Sequence, residues 1–268
     1  MQRLIILGFL LGVSLGLYSQ NPGYLGRHFL AQVQLGSSPA ITGPTVKNRG
    51  LSKTYNHADP KLGINLFLGG KVGYTLSRNT ELTLNINQAS TGMIMYGYAP
   101  GIPETEFDQH YLFYKLRCTS VDLAWNIFNP TKGSIAPFGT FTGLYIGKSF
   151  VSGEVMEDIV EGTPSPPVPS ESIGIDPHYS QMYFGFEFGS NHIVYDHILI
   201  NISLRLNLPF AGIGYYFKNI LGSSTGPGVS YKNDYSAYNQ FYFEQQALKR
   251  VTNYNLFFLN LGVGYLIF

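Results

Sequence analysis

Apolar residues recur at every second position along most of this chain, and that period limits its fold more than any motif does. Leu62, Ile64, Leu66, Leu68, Gly70, Val72, Tyr74 and Leu76 alternate with Gly63, Asn65, Phe67, Gly69, Lys71, Gly73 and Thr75. Period two is the signature of a strand whose two faces see different surroundings. Ile198, Ile200, Ile202, Leu204, Leu206 and Leu208 alternate in the same way with Asn201, Ser203, Arg205 and Asn207. Leu82, Leu84 and Ile86 stand against Thr83, Asn85 and Asn87. Val121, Leu123, Trp125 and Ile127 stand against Ser120, Asp122, Ala124 and Asn126. Met182, Phe184, Phe186 and Phe188 stand against Gln181, Tyr183, Gly185, Glu187 and Gly189. Three less regular segments complete a set of eight strands, near 27–36, 61–76, 80–95, 110–128, 135–150, 177–190, 197–210 and 252–268.

The connections are as informative as the strands. Three are short and carry turn residues: Ser77-Arg78-Asn79, Asn129 to Ser134, and Asn191 to Asp196. Four are long, near 37–60, 96–109, 151–176 and 211–251. Short and long alternate strictly. An up-and-down antiparallel barrel with turns at one end and loops at the other has this order. So do transmembrane barrels, with short periplasmic turns and long extracellular loops. The fold expected is an all-β, eight-stranded antiparallel barrel of the transmembrane kind.

The first residues read as a secretory signal. Arg3 precedes an apolar run from Leu4 to Leu17, and Tyr18-Ser19-Gln20 follows with a small residue at the cleavage position. The run is short of the roughly 20 residues that a spanning helix needs. The expected organisation is a cleaved signal over 1–19 and a single barrel domain over 20–268. The one cysteine, Cys118, excludes a disulfide framework within the chain. A net charge of +1 gives no basic footprint for nucleic acid.

Three features resemble the small outer-membrane β-barrel proteins of Gram-negative bacteria. They are Tyr18-Ser19-Gln20, the strand Ile200-Asn201-Ile202-Ser203-Leu204-Arg205-Leu206 and the segment Asn260-Leu261-Gly262-Val263-Gly264-Tyr265. The likeness is nearest to the porin-like outer membrane protein β-barrel family of the Bacteroidetes. Phe268 is the terminal aromatic that such proteins carry, but Tyr265 stands three residues before it, in the opposite phase. The resemblance implies an outer-membrane location, outer-membrane lipid as surroundings and the barrel-insertion machinery as a partner.

Period two alone does not say which face is inside, so a soluble lipocalin-like carrier is the rival barrel. Composition weighs against it. Only 12% of residues are charged, about half of what coats a soluble wall. Aromatic residues also gather toward strand ends, as at two bilayer interfaces. Tyr74, Trp125, Phe128, Phe138, Phe188 and Tyr265 form a girdle on the short-turn side, and Tyr96, Tyr98, Tyr111, Phe113, Tyr179 and Phe210 lie toward the long loops.

If the apolar face is outside, the other face fills the lumen, which eight strands leave just wide enough for side chains. Lys71, Asp122, Glu187 and Arg205 then point inward at intermediate depth. Two cations and two anions suit a neutral structural network better than a permeation path or proton relay, because an unpartnered buried charge costs several kcal/mol.

No catalytic, cofactor or metal site is expected. His192 and His197 flank a turn without further ligands. His178 and Glu187 are nine residues apart on one strand, about 30 Å, which excludes a triad with Ser180. No Gly-x-Ser-x-Gly elbow is present. The loops 151–176 and 211–251 are candidates for an extracellular ligand. The second is rich in Tyr and Phe, including Tyr215, Phe217, Tyr231, Tyr238 and Phe243. Within it, 239–250 reads alternatively as a short helix. The function expected is a non-enzymatic outer-membrane barrel with a structural or surface-binding role. The alternatives are a passive route for a small or apolar solute and, further off, a lipid-modifying enzyme.

Overall fold

The computed structural model describes residues 26–39, 64–100, 107–160, 163–165, 170–210, 230, 232–256 and 258–267. The signal segment 1–19, and within the long loops Tyr215, Phe217 and Tyr231, lie outside them. Nine strands follow in chain order: β1 (Phe29–Pro39), β2 (Ile64–Ser77), β3 (Thr80–Pro100), β4 (Phe107–Phe128), β5 (Gly139–Val160), β6 (Thr163–Ser165), β7 (His178–Val194), β8 (Ile198–Pro209) and β9 (Phe258–Ile267). A helix, α1 (Tyr235–Leu256), stands between β8 and β9. Each long strand pairs antiparallel with its neighbours, and β9 returns to β1. The pairings β4–β5 and β5–β7 close the ring, so the molecule is an eight-stranded antiparallel barrel. The three-residue β6 adds only to the far end of β5.

The register fixes the barrel's shape. Partners can be followed from His192 through Ile200, Val263, Val33, Gly70, Ile86, Val121 and Lys148. They return to β7 at Met182, ten residues from the start. Ten residues of stagger over eight strands set a tilt of about 40°. Each residue then raises the chain by about 2.5 Å along the barrel axis, and each step to the next strand by about 3 Å.

The alternation resolves into an outside and an inside. Val33, Leu68, Val72, Ile86, Leu144, Ile202, Leu261 and Val263 face outward and are exposed, Val33 at 65%. Gln32, Gln34, Lys71, Asn85, Asp122, Glu187, Asn201 and Asn260 face inward and are buried. The outward apolar surface runs from Tyr74 and Tyr265 at the short-turn end to Leu66, Leu208 and Met182, a height of roughly 20–25 Å at the tilt above.

Several expected boundaries move. β3 and β4 pair without a break as far as Pro100 and Phe107, so the expected 96–109 loop shrinks to 101–106. β5 runs on to Val160, through the first part of the expected 151–176 loop. The alternation fades there because the inner face is apolar too. Met95, Leu112, Tyr114, Leu116 and Val151 pack on Phe243 and Ala247 of α1. The expected short helix is longer, Tyr235–Leu256. Its first turn is capped by Asp234, whose carboxylate accepts from the Ala237 N–H at 2.9 Å. The last strand accordingly begins at Phe258, not near 252.

Candidate functional site

The interior holds a cluster of ionisable side chains, and the register explains how four strands deliver it to one place. Lys71, Asn85 and Asp122 are successive partners across β2, β3 and β4. Glu187 and Arg205 are direct partners across β7 and β8. The tilt brings these two groups to neighbouring heights on facing walls. Arg205 Nη2 donates to Asp122 Oδ1 at 2.6 Å, and its Nε lies 3.5 Å from Glu187 Oε2. Lys71 Nζ lies 3.4 Å from Glu187 Oε1. Asp122 also accepts from Asn85 at 2.8 Å and from the Tyr183 hydroxyl at 3.1 Å. The Arg205 guanidinium lies over the Tyr145 ring, 4.0 Å from its centroid. Lys71, Asp122, Glu187 and Arg205 thus form one connected, buried network.

Glu81 belongs with this lumen, and sequence reasoning passed over it. It is buried, and Asn126 donates to its Oε2 at 3.1 Å. Its phase matches that of Thr83 and Asn85, which was the available signal; its place beside the Ser77–Asn79 turn hid it.

Glycine makes room for the network. A Cβ on Gly147 would lie 2.6 Å from that of Asp122 and 2.7 Å from the Tyr183 hydroxyl oxygen. Only a residue without a side chain lets Asp122 and Tyr183 meet there.

Apolar layers close the polar band at both ends. At the short-turn end Leu30, Leu199 and Leu266 pack together, and Phe128 packs on Ala136 and Phe141. Above the network, Phe67 meets Phe258 edge to face at 4.6 Å beside Ala89. Higher still, α1 rests on the inner wall of β3–β5. Its Asn239 donates to the Tyr98 and Ile173 carbonyls and accepts from the Tyr98 N–H, each at 2.8 Å. The Phe243 ring lies tilted against that of Tyr114, with centroids 5.2 Å apart. Between the network and the Phe67–Phe258 layer lies a void of about 10 Å³, room for about one water.

The girdle residues divide. Tyr74, Trp125, Phe188 and Tyr265 face outward and are exposed. His28 stacks on Tyr74 and His197 on Tyr265. Phe128 is a correction: it is 0% exposed, on the inner face with Ala124 and Asn126, because its phase is even like theirs. Phe138 is half-buried beside the Ile135 bridge, before β5 begins. At the other end Tyr179 is also inward, packed against the α1 layer, while Phe210 is outward, its ring tilted against that of Phe184. Tyr98 is half-buried, its ring edge to face with Tyr238 of α1. The side chains of Tyr96, Tyr111 and Phe113 lie outside the described set.

The histidines fall apart from the network. His178 pairs with Asp176 at 3.0 Å on the exposed loop end. That hydrogen bond holds the Asp176 carboxyl below the usual carboxylate range. His192 Nε2 lies 3.2 Å from Ser190 Oγ on the outer surface, a contact that sequence reasoning did not single out. The strand partners of these two are Ile200, Ile202 and Thr140, so those positions offer no carboxylate to orient the imidazole as a triad requires. Among the described residues no group of His, Cys, Asp and Glu is arranged to hold a metal.

No protein-family model matches the chain, and comparison with curated proteins gives no match. Among solved structures the barrel is similar to the N-terminal β-barrel domain of OprF from Pseudomonas aeruginosa, at 10% identity and a TM-score of 0.36. That alignment covers 89% of this chain and 97% of the other. It is also similar to the outer membrane protein OprG from Pseudomonas aeruginosa, at 10% identity and a TM-score of 0.38, covering 89% and 95%.

Proposed function

We propose that the protein is an integral outer-membrane barrel with a sealed lumen and a structural or surface-binding role. The reading is carried by the inversion of its two faces. The exposed wall is apolar over about the 25 Å that a bilayer core demands of a barrel, while the buried interior is ionic. In water that arrangement would leave most of the apolar surface hydrated at about 25 cal/mol per Å². In a membrane the same surface needs no cover. The signal-like segment 1–19 fits export, and delivery through the barrel-insertion machinery follows from the location. Function by contact then falls to the loop end, around 151–176 and 211–251, where an extracellular ligand would bind.

The passive-route alternative meets the two apolar layers and the salt-bridged band between them. Reconstitution in planar bilayers tests this directly. The expected result is insertion without stepwise conductance. Stable single-channel steps from the wild-type protein would overturn the sealed lumen and favour a solute route.

A further inference from the structure

Among the described residues a cluster of cations lies on the outer wall, at the upper edge of the apolar belt. Lys115 and Arg117 face outward on β4, and Lys148 faces outward on β5; all three are exposed. Val121 pairs with Lys148, Thr119 with Phe150 and Arg117 with Ser152. Lys148 therefore starts two residues below Phe150. Its ammonium lies 5.0 Å from the centroid of the Phe150 ring. The side chain thus reaches toward the loop end, lifting its charge out of the apolar belt along an apolar stem. That places the ammonium near the level of Thr119, and Arg117 follows two residues higher, about 5 Å along the axis. Hydroxyls of Thr119, Ser152 and Ser180 occupy outward positions around them. Carboxylates flank this face too: Glu154 is the partner of Lys115, and the exposed Asp176 pairs with His178, the partner of Ser152. At comparable heights on the opposite wall stand Ser37, Leu66, Leu208 and Phe210, without charge.

Resting on the membrane placement above, we propose that Lys115, Arg117 and Lys148 bind the phosphate of an outer-leaflet lipid headgroup. The guanidinium of Arg117 offers two parallel N–H donors to phosphate oxygens. The lysines add charge at the level where headgroups sit, and the lipid's chains continue down the apolar wall below. Charge complementarity and the one-sided placement favour a seated lipid over general attraction around the rim.

The test uses the full mature chain folded in a zwitterionic detergent, with native mass spectrometry of retained lipid. The probes are diphosphorylated lipid A, its dephosphorylated form and inorganic phosphate. The expected result is retention of the phosphorylated lipid alone, weakened at least about tenfold in Lys115→Gln/Arg117→Gln/Lys148→Gln. An Arg78→Gln/Lys132→Gln variant at the turn end should retain it like wild type. Equal retention of both lipids, or an unchanged triple variant that still folds as a barrel, would overturn the proposal. Inhibition by millimolar inorganic phosphate would reassign the patch to a soluble anion. If the chain stays monomeric in water without detergent, the membrane reading fails first and takes the patch with it.

Discussion

Ile202→Arg should sharply reduce the fraction of folded barrel recovered from membranes, while Asn201→Ser should leave it nearly unchanged. The two positions are adjacent on β8 and face opposite ways. Ile202 is 48% exposed and Asn201 0%. The tilt places Ile202 about 8 Å above the level of His192, between the interface and the middle of the belt. An arginine there costs about 2–3 kcal/mol, within the range measured for lipid-facing positions. Asn201 donates to Asn191 Oδ1 and accepts from Ser203. A serine in its place loses a hydrogen bond or two, about 1 kcal/mol each. The unheated fraction that migrates as compact barrel on gels measures both. The reverse ordering would mean that the faces are exchanged, since a slip of one residue swaps every side chain.

Arg205→Leu should have a larger effect, about 3–5 kcal/mol of stability. Arg205 touches two carboxylates, Asp122 and Glu187, and covers the Tyr145 ring. Removing it leaves Asp122, among the described residues, with Asn85 and Tyr183 as donors and Glu187 with Lys71 as its cation. Adding Asp122→Asn to this variant should recover part of the loss, because one of the stranded charges goes with it while acceptance from Asn85 remains possible. Denaturant midpoints in detergent micelles, run as a double-mutant cycle, would read the coupling. A double variant no better than Arg205→Leu alone would mean that the ion pair contributes nothing beyond packing.

How far the sequence went follows from what each pattern depends on. On β2 and β8 the faces meet different media, and Leu68 against Lys71 or Ile202 against Asn201 betrays it by period alone. On the outer halves of β3, β4 and β5 the inner face is covered by α1. Met93, Ile94, Met95 and Tyr96 then show no alternation, and the strand ends beyond Met95, before His110 and beyond Phe150 read as loop. The network Lys71–Glu187–Arg205–Asp122 was legible as a set because phase puts all four inside. The pairs within it were not, because they depend on the ten-residue stagger, which the chain encodes only through all eight pairings together. Phe128 and Tyr179 went astray because an aromatic near a strand end suggested an interface, while their phase with Ala124 and Tyr183 pointed inward. The role of Lys148 was invisible for a related reason: β5 alone does not tell how high its residue 148 stands.

Trp125 supplies the most direct test of the inverted barrel. It is the single tryptophan of the chain, it is 54% exposed, and it sits on the outward face of β4 within the belt. The protein should be folded into vesicles whose acyl chains carry bromine, with aqueous iodide as the competing quencher. The expected result is blue-shifted emission, strong quenching by brominated lipid and little by iodide. Emission that iodide quenches and brominated lipid leaves untouched would place the apolar face in water and contradict the membrane-spanning barrel.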